Sequence, residues 1–105
     1  MYKIIMKELR FEWDEEKNRI NKAKHDGIDF EEASTVFYDD NAIMFDDPDH
    51  SEEEYRFLII GISVKSNLCI VSHCYRGIED DVIRIISARR ATNKERRFYV
   101  EYNGG

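Results

Sequence analysis

The first forty residues show one strand pattern followed by two helix patterns. Residues 8–13 (ELRFEW) alternate between polar and apolar side chains, which predicts a first strand. A helix is predicted over residues 14–26, because an aspartate is a good N-cap, acids fill the first turn and a glycine follows the last residue. Asp29 and Glu32 then form a D-x-x-E capping pair for a second helix. The apolar residues of that helix fall on one face, at Phe30, Ala33, Val36 and Phe37.

Strand patterns dominate the second half of the chain. Apolar or alternating runs predict strands over residues 42–45, 55–64, 68–76 and 82–90. An acidic loop over residues 46–53 holds the only proline and separates the first two of these strands. Turns at residues 65–67 and around Gly77 join the last three, which predicts an antiparallel meander.

A capping box near the C-terminus predicts one more helix. Thr92 and Glu95 form a T-x-x-E pair, and the helix that they open runs to about Tyr102. The predicted order is β-α-α-β-β-β-β-α, an α+β fold in which the helices of residues 14–38 pack on one face of the sheet. The 105 residues are expected to form a single domain, with residues 1–7 as an N-terminal extension and residues 103–105 as a frayed tail.

Composition indicates a compact protein of a reducing compartment. The chain is 42% hydrophobic and 36% charged, which suits a folded domain better than a disordered one. Its longest apolar-rich run, residues 57–64, is far shorter than the ~20 residues of a membrane helix, and its start lacks a signal-peptide pattern. Cys69 and Cys74 are predicted to point to opposite faces of a strand and to remain free thiols. We therefore expect a cytoplasmic protein that does not enter a membrane.

The net charge of −6 averages two unlike regions. Residues 29–54 contain 11 acids and no Lys or Arg, so the rest of the chain sets 11 acids against all 16 basic residues, a local balance of +5. Within that remainder, the stretch RIISARRATNKERRFY (residues 84–99) carries six basic residues and one acid. Because salt screens charges beyond about 8 Å, a polyanion near this stretch would meet its local positive charge.

Three stretches of the sequence resemble the BrnT toxin family. They are FEWDEEKNRINKAKHDGIDFEEASTVFYDD, EEYRFLIIG and RIISARRATNKERRFYVEY, which lie within residues 11–102. BrnT proteins are RelE-like toxins of bacterial type II toxin–antitoxin systems, and the predicted element order matches the RelE-like fold. One departure is an added residue, Asp26, where the family most often reads Lys-His-Gly, whereas the arginine of the Glu-Glu-Arg-Phe motif is kept as Arg56.

This resemblance implies a small endoribonuclease that cuts RNA without a metal or another cofactor and arrests growth. It also implies a cognate antitoxin with a ribbon-helix-helix DNA-binding part. The expected complex is a toxin dimer with two antitoxins, a heterotetramer that contacts operator DNA only through the antitoxin and represses its own operon.

Metal-free RNA cleavage defines which side chains are needed. The ribose 2′-OH attacks the phosphodiester, so the site requires a base, an acid for the leaving 5′-oxygen and cations around the phosphorane. Arginine suits the cationic role because its planar fork binds two phosphate oxygens and stays charged. The predicted catalytic residues are Lys24, His25, Arg56, Arg76 and Arg89. The predicted RNA-binding residues are Tyr75, Arg84, Arg90 and Arg96.

Several of these residues also have a purely structural reading. Lys24 and His25 interact favourably with a helix C-terminus whatever else they do. Arg56 can be held in an ion pair with Glu54 or the acidic loop, and Arg96 can lie on the solvated face of the last helix. His73 stands near both cysteines, but the spacing matches no common zinc site, so it is expected in the core.

A second function class also fits the sequence. The chain can be a non-catalytic module that binds an antitoxin-like DNA-binding partner and modulates operon repression. No Ser-His-Asp order, glycine-rich phosphate loop or zinc pattern supports a third class. Expression of the chain alone separates the two, because only a toxin stops growth without its partner.

Overall fold

The computed structural model describes residues 9–47 and 54–105. Within these residues the chain forms five strands, three α-helices and one 3₁₀ turn. In chain order they are β1 (Arg10–Glu12), α1 (Glu15–Lys24), α2 (Phe30–Thr35), the 3₁₀ turn (Val36–Tyr38), β2 (Ile43–Asp46), β3 (Phe57–Ile62), β4 (Leu68–Arg76), β5 (Val82–Arg90) and α3 (Asn93–Tyr102).

All five strands form one mixed sheet in the order β1-β5-β4-β3-β2. Strands β2 to β5 are the predicted antiparallel meander, and β1 adds to β5 in parallel. The β4–β5 ladder has a bulge, because Ser72 pairs with Ser87 while the next residue, His73, pairs with Ile85. Ile86 is therefore the extra residue of β5. This α+β architecture confirms the predicted fold class.

The predicted bounds hold best in the middle of the meander. Strands β4 and β5 begin and end where the sequence pattern predicted. The strand predicted over residues 55–64 is shorter and ends at Ile62, because a turn starts at Ser63. The carbonyl oxygen of Ser63 accepts from the amide of Ser66. Residues 1–7 and most of the acidic loop lie outside the described residues. Residues 103–105, predicted as a frayed tail, hydrogen-bond to the last turn of α3.

The first helix ends earlier than predicted. Asp14 caps it as expected, accepting from the amides of Glu16 and Lys17 at 2.8 and 3.2 Å. The helix stops at Lys24, however, because Asp26 has a φ of 53° and cannot continue it. The added residue thus joins the glycine after it in a left-handed turn rather than lengthening α1.

The predicted D-x-x-E pair of α2 is only half a capping box. Asp29 accepts from the amide of Glu32 at 2.8 Å. The Glu32 side chain is buried and instead accepts from Ser63 Oγ and Asn67 Nδ2, both at 2.7 Å. A buried carboxylate thus connects α2 to the β3–β4 turn.

Two apolar clusters lie on opposite faces of the sheet. The larger one packs α2 and its flanks against β3, β4 and β5, as predicted for the helices of residues 14–38, through Ile28, Phe30, Ala33, Val36, Ile59, Cys69, Val71, Ile85 and Ala88. The smaller one covers a corner of the other face with α3, through Ile43, Ile60, Leu68, Ile70 and Tyr99. Both cysteines are free thiols, as expected. None of the helices in the described parts of the chain is long and apolar enough to cross a bilayer.

The side chain of Asn21 on α1 supplies hydrogen-bond partners for backbone groups at the outer edge of β5. Strand β1 pairs with β5 only as far as Glu12 opposite Arg84. Beyond that point, Asn21 Nδ2 donates to the carbonyls of Ile28 and Ala88, both at 2.9 Å, and its Oδ1 accepts from the Ala88 amide at 3.0 Å. The side chain is buried and replaces a neighbouring strand at this position.

Asn21→Ala should therefore lower the free energy of unfolding by about 3 kcal/mol, because it leaves buried backbone groups without partners. Urea denaturation monitored by circular dichroism would measure this loss. Arg19→Ala, which removes an exposed side chain of the same helix, is the matched control and should leave the midpoint unchanged. Equal midpoints for the two variants would show that the edge of β5 does not depend on Asn21.

Candidate functional site

Three of the predicted site arginines share one face of the sheet. The β4–β5 register pairs Ile70 with Arg89 and Cys74 with Arg84, and Arg76 lies two residues beyond Cys74 on the same side of β4. Ile70 belongs to the cluster with α3, so this is the face opposite α1 and α2. We call the surface formed by Arg76, Arg84 and Arg89 the arginine face.

Every arginine of this face contacts a carboxylate of its own chain. Arg84 Nη1 lies 2.7 Å from Glu12 Oε2, because β1 sets these two residues directly opposite each other. Arg76 pairs with Glu54, and Arg89 pairs with Glu95. The arginine side chains keep between 31% and 48% of their surface exposed, so a ligand in solvent can reach them.

The Arg89–Glu95 pair has the most complete geometry. Arg89 Nη1 and Nη2 donate to the two carboxylate oxygens of Glu95 at 2.8 and 3.0 Å. The amide of Thr92 donates to the same carboxylate at 2.8 Å, and Thr92 Oγ1 accepts from the Glu95 amide, which completes the predicted capping box. The hydrogen bonds from Arg89 are the main reason that the pKa of Glu95 falls to about 2.

Arg76 and Arg56 differ in their environments. Glu54 contacts both Arg76 and the thiol of Cys74, whose Sγ lies 3.3 Å from Glu54 Oε1, and burial raises the pKa of that thiol. Arg56 directly precedes β3, where strand alternation orients it toward the arginine face. Its Nε is buried and has no hydrogen-bond partner in the described parts of the chain. Glu54, considered from sequence as a partner of Arg56, pairs with Arg76.

Lys24 and His25 lie apart from these arginines. His25 is the C-cap of α1 and is half-buried. Both residues line a shallow pocket of about 190 Å³ between α1 and the bulge of β5, beside Ile86 and Ser87. None of the three residues of the arginine face lines this pocket. The structure therefore places the candidate proton-transfer residues at the edge of β5 and the candidate phosphate-binding residues on its face.

The other predicted RNA-binding residues are dispersed. Arg90 is opposite Cys69 on the helix-covered side, and its Nε is 3.8 Å from Asp26 Oδ2. Tyr75 packs on that same side with its ring 5.4 Å from Phe57, and burial raises its pKa. Arg96 is exposed on α3.

Sequence reasoning identified the arginines but missed all three of their acidic partners as site residues. Nothing in the sequence indicated that the first strand, which contains Glu12, would pair in parallel with β5. Glu54 was considered only for Arg56, and Glu95 was recognised only as a cap. The T-x-x-E pattern, whose glutamate lies six residues after Arg89, was the one local signal available.

Comparison with known proteins gives a consistent result. Residues 13–95 match the family described as the ribonuclease toxin, BrnT, of type II toxin–antitoxin systems. The 1.1 Å crystal structure of the Brucella abortus ribonuclease toxin BrnT aligns with a TM-score of 0.60 and 25% identity, over 82% of this chain and 100% of that chain. Among curated proteins, none matches this sequence.

His73 lies in the core, away from the arginine face. It is completely buried, its Nδ1 is 3.2 Å from the carbonyl oxygen of Val71, and its ring is 4.7 Å from that of Phe37. Burial lowers its pKa to about 4. In residues 9–47 and 54–105, no group of three or more His, Cys, Asp or Glu side chains is arranged to hold a metal ion.

The buried His73 should make stability pH-dependent. Its folded pKa of about 4 lies below its ordinary value of 6.5, so the unfolded chain binds an extra proton between these values. Stability should therefore fall as the pH drops from 6.5 to 4, by up to about 3 kcal/mol, and this contribution should not change further below pH 4. We expect His73→Phe to remove this part of the slope in urea denaturation from pH 7 to pH 4.

His25→Gln is the matched control, because it removes a histidine outside the core. It should keep the slope of the parent protein. If His73→Phe and the parent lose stability in parallel over this pH range, His73 is not the responsible group.

Proposed function

Because the chain belongs to the BrnT family of ribonuclease toxins of type II toxin–antitoxin systems, we propose that it is a metal-independent endoribonuclease that binds RNA on the arginine face. One observation carries this proposal, namely that three exposed guanidinium groups on one face each hold a carboxylate. Carboxylate and phosphate oxygens accept from an arginine fork in the same way, so the groups that bind Glu12, Glu54 and Glu95 suit RNA phosphates.

The internal carboxylates do not prevent this binding. Exposed ion pairs contribute little to stability, since solvent screens them and their side chains lose entropy. An RNA phosphate brings its own charge and can displace a glutamate from Arg76 or Arg84. RNA binding therefore exchanges one charge-assisted contact for another.

Each residue then has a defined role in the reaction. The 2′-oxygen attacks the neighbouring phosphorus, the bond from phosphorus to the 5′-oxygen breaks, and a 2′,3′-cyclic phosphate and a 5′-hydroxyl form. Arg76 and Arg89, with Arg56, stabilise the charge of the phosphorane. His25 is the proposed proton-transfer group because an imidazole ring can both accept and donate a proton, and Lys24 is the second cation beside it.

RNA that extends beyond the scissile phosphate would need further contacts. Arg84 belongs to the arginine face and is the proposed RNA-binding residue there. Arg96, which is exposed on α3, extends the positive charge past the end of β5. Arg90, the last residue of β5, lies on the helix-covered side and has no part in this proposal. Tyr75 has no part in this proposal, because its ring packs on the opposite side of the sheet.

The antitoxin is proposed to use the same arginines. Acidic side chains of a ribbon-helix-helix antitoxin can occupy the guanidinium forks and exclude RNA. The proposed complex contains two toxins and two antitoxins and contacts operator DNA only through the antitoxin. We place this system in the cytoplasm, where both RNA and the operator are available.

Each arginine of the arginine face is already paired with a carboxylate of its own chain. This observation favours one alternative, a non-catalytic module that only binds the antitoxin. Arg89→Ala distinguishes the two functions. In a nuclease, loss of this charged donor should slow RNA cleavage about a hundredfold and relieve growth arrest. Induction of the chain without antitoxin, followed by growth curves and cleavage of labelled RNA, would measure both effects.

Arg19→Ala is the matched control, since it removes an exposed, paired arginine of α1 far from the arginine face. It should remain fully toxic. Single Ala variants of Arg56, Arg76 and Arg89 that all stay toxic would rule out the arginine face as the site, and a parent chain that leaves growth unaffected would support the binding module.

Antitoxin association should depend on salt if it uses these arginines. Between 50 mM and 500 mM salt the on-rate should fall at least tenfold, because screening removes electrostatic steering. Arg76→Ala/Arg89→Ala should have a low on-rate and a weak salt dependence, whereas Arg19→Ala/Arg90→Ala should behave like the parent. Surface plasmon resonance can measure all three. An on-rate indifferent to salt and to both changes would mean that the antitoxin docks elsewhere.

A further inference from the structure

Arg89 has an unused pair of donors. An arginine carries five N–H groups, and Glu95 accepts two of them, one from each terminal nitrogen. The carbonyl oxygen of Arg90 accepts a third, from Nη1 at 3.2 Å. The remaining two are the Nε–H and the second Nη2–H, which lie side by side on one edge of the planar group. In the described residues neither donates a hydrogen bond to another group, so this edge is a free fork.

Glu95 is itself fixed at its other end. The amide of Thr92 donates to Glu95 Oε1, and the capping box anchors the start of α3. One turn later Tyr99 is buried, and its hydroxyl donates to Asp39 Oδ2 at 2.7 Å, which holds the helix against the sheet. Because Glu95 belongs to this packed helix, its carboxylate fixes the orientation of the Arg89 guanidinium plane.

The other two arginines of the face are held less completely. Arg84 reaches Glu12 through one nitrogen, and Arg76 reaches Glu54 through one nitrogen, while its other side-chain partner is the thiol of Cys74. A single contact leaves the guanidinium plane free to rotate about it, whereas two parallel contacts fix the plane. Arg89 is therefore the arginine of this face whose free edge has a defined direction.

We propose that Glu95 is a positioning residue for RNA cleavage, which fixes Arg89 so that its Nε–Nη2 edge faces the scissile phosphate. This inference rests on the proposed function and adds to it a residue that does not touch RNA. A pre-oriented donor needs no reorganisation when charge develops in the transition state. Loss of Glu95 should therefore affect the chemical step more than substrate binding.

Glu95→Gln separates this role from helix capping. Glutamine also serves in a capping box, since its carbonyl oxygen can accept from the amide of Thr92, but it offers Arg89 one uncharged acceptor in place of two charged ones. With a fluorophore-labelled single-stranded oligoribonucleotide as substrate, kcat should fall about tenfold, as expected for a misplaced catalytic group. KM should stay within about twofold of the parent value, because the phosphate donors remain. The urea midpoint should stay close to that of the parent, because the cap remains.

Two controls test whether the effect has a different origin. Glu16→Gln makes the same change at the exposed pair with Arg19 and should leave kcat unchanged. Thr92→Ala removes the side-chain cap but keeps the backbone amide that holds Glu95, so it should lower the urea midpoint while kcat at low temperature stays near that of the parent.

The decisive variant is Arg89→Ala/Glu95→Gln. If Glu95 acts through Arg89, the double variant should cleave as slowly as Arg89→Ala alone. A parent-like kcat for Glu95→Gln, or an additional tenfold loss in the double variant, would overturn the positioning role while leaving the nuclease proposal intact. An Arg89→Ala variant with parent activity would overturn this inference alone, whereas a parent protein that cleaves no RNA would overturn the proposed function and this inference together.

Discussion

The outer edge of β5 is the constraint on which the rest of this structure depends. A strand edge carries backbone groups that need partners, and β5 obtains them from two different sources. Strand β1 pairs with its first part in parallel, and the side chain of Asn21 pairs with Ala88 in its second part. This division explains why β1 is very short and is followed at once by a helix.

Strand β1 and Asn21, which provide the partners for the outer edge of β5, also position candidate functional groups. The parallel register of β1 places Glu12 opposite Arg84, so it brings a carboxylate onto the arginine face. Docking of α1 through Asn21 brings the end of that helix, with Lys24 and His25, beside the bulge of β5. The stability of the sheet and the layout of the site therefore rest on the same contacts.

An acidic protein that concentrates arginines on one face needs a way to hold them. Three like charges on neighbouring strand positions repel one another, and each of them has a carboxylate partner from a different part of the chain, at Glu12, Glu54 and Glu95. Such exposed pairs are weak enough to be exchanged for phosphates or for the acidic side chains of a partner. The same face can thus be stable when empty and still bind an anion.

The sequence alone determined the features that depend on near neighbours. The caps at Asp14 and Thr92, the bounds of β4 and β5 and the helix-covered core follow from interactions within a few residues and from side-chain periodicity. The arginines of the site could be selected in the same way, because their chemistry is a property of the residue type. The predicted end of α1 was too late, because Asp26 has a left-handed backbone conformation. This conformation is sterically allowed for aspartate, but no sequence pattern predicts it.

Only the tertiary structure decided how the site is assembled. Arg84 and Glu12 are 72 positions apart, and Asn21 and Ala88 are 67 apart, so no local spacing relates them. The capping pattern at Glu32 predicted a cap, but burial against the β3–β4 turn gave its carboxylate other partners. The physical reason is common to all three cases. A polar side chain takes whichever partner the packed strands and helices bring to it, and that packing is a property of the whole fold.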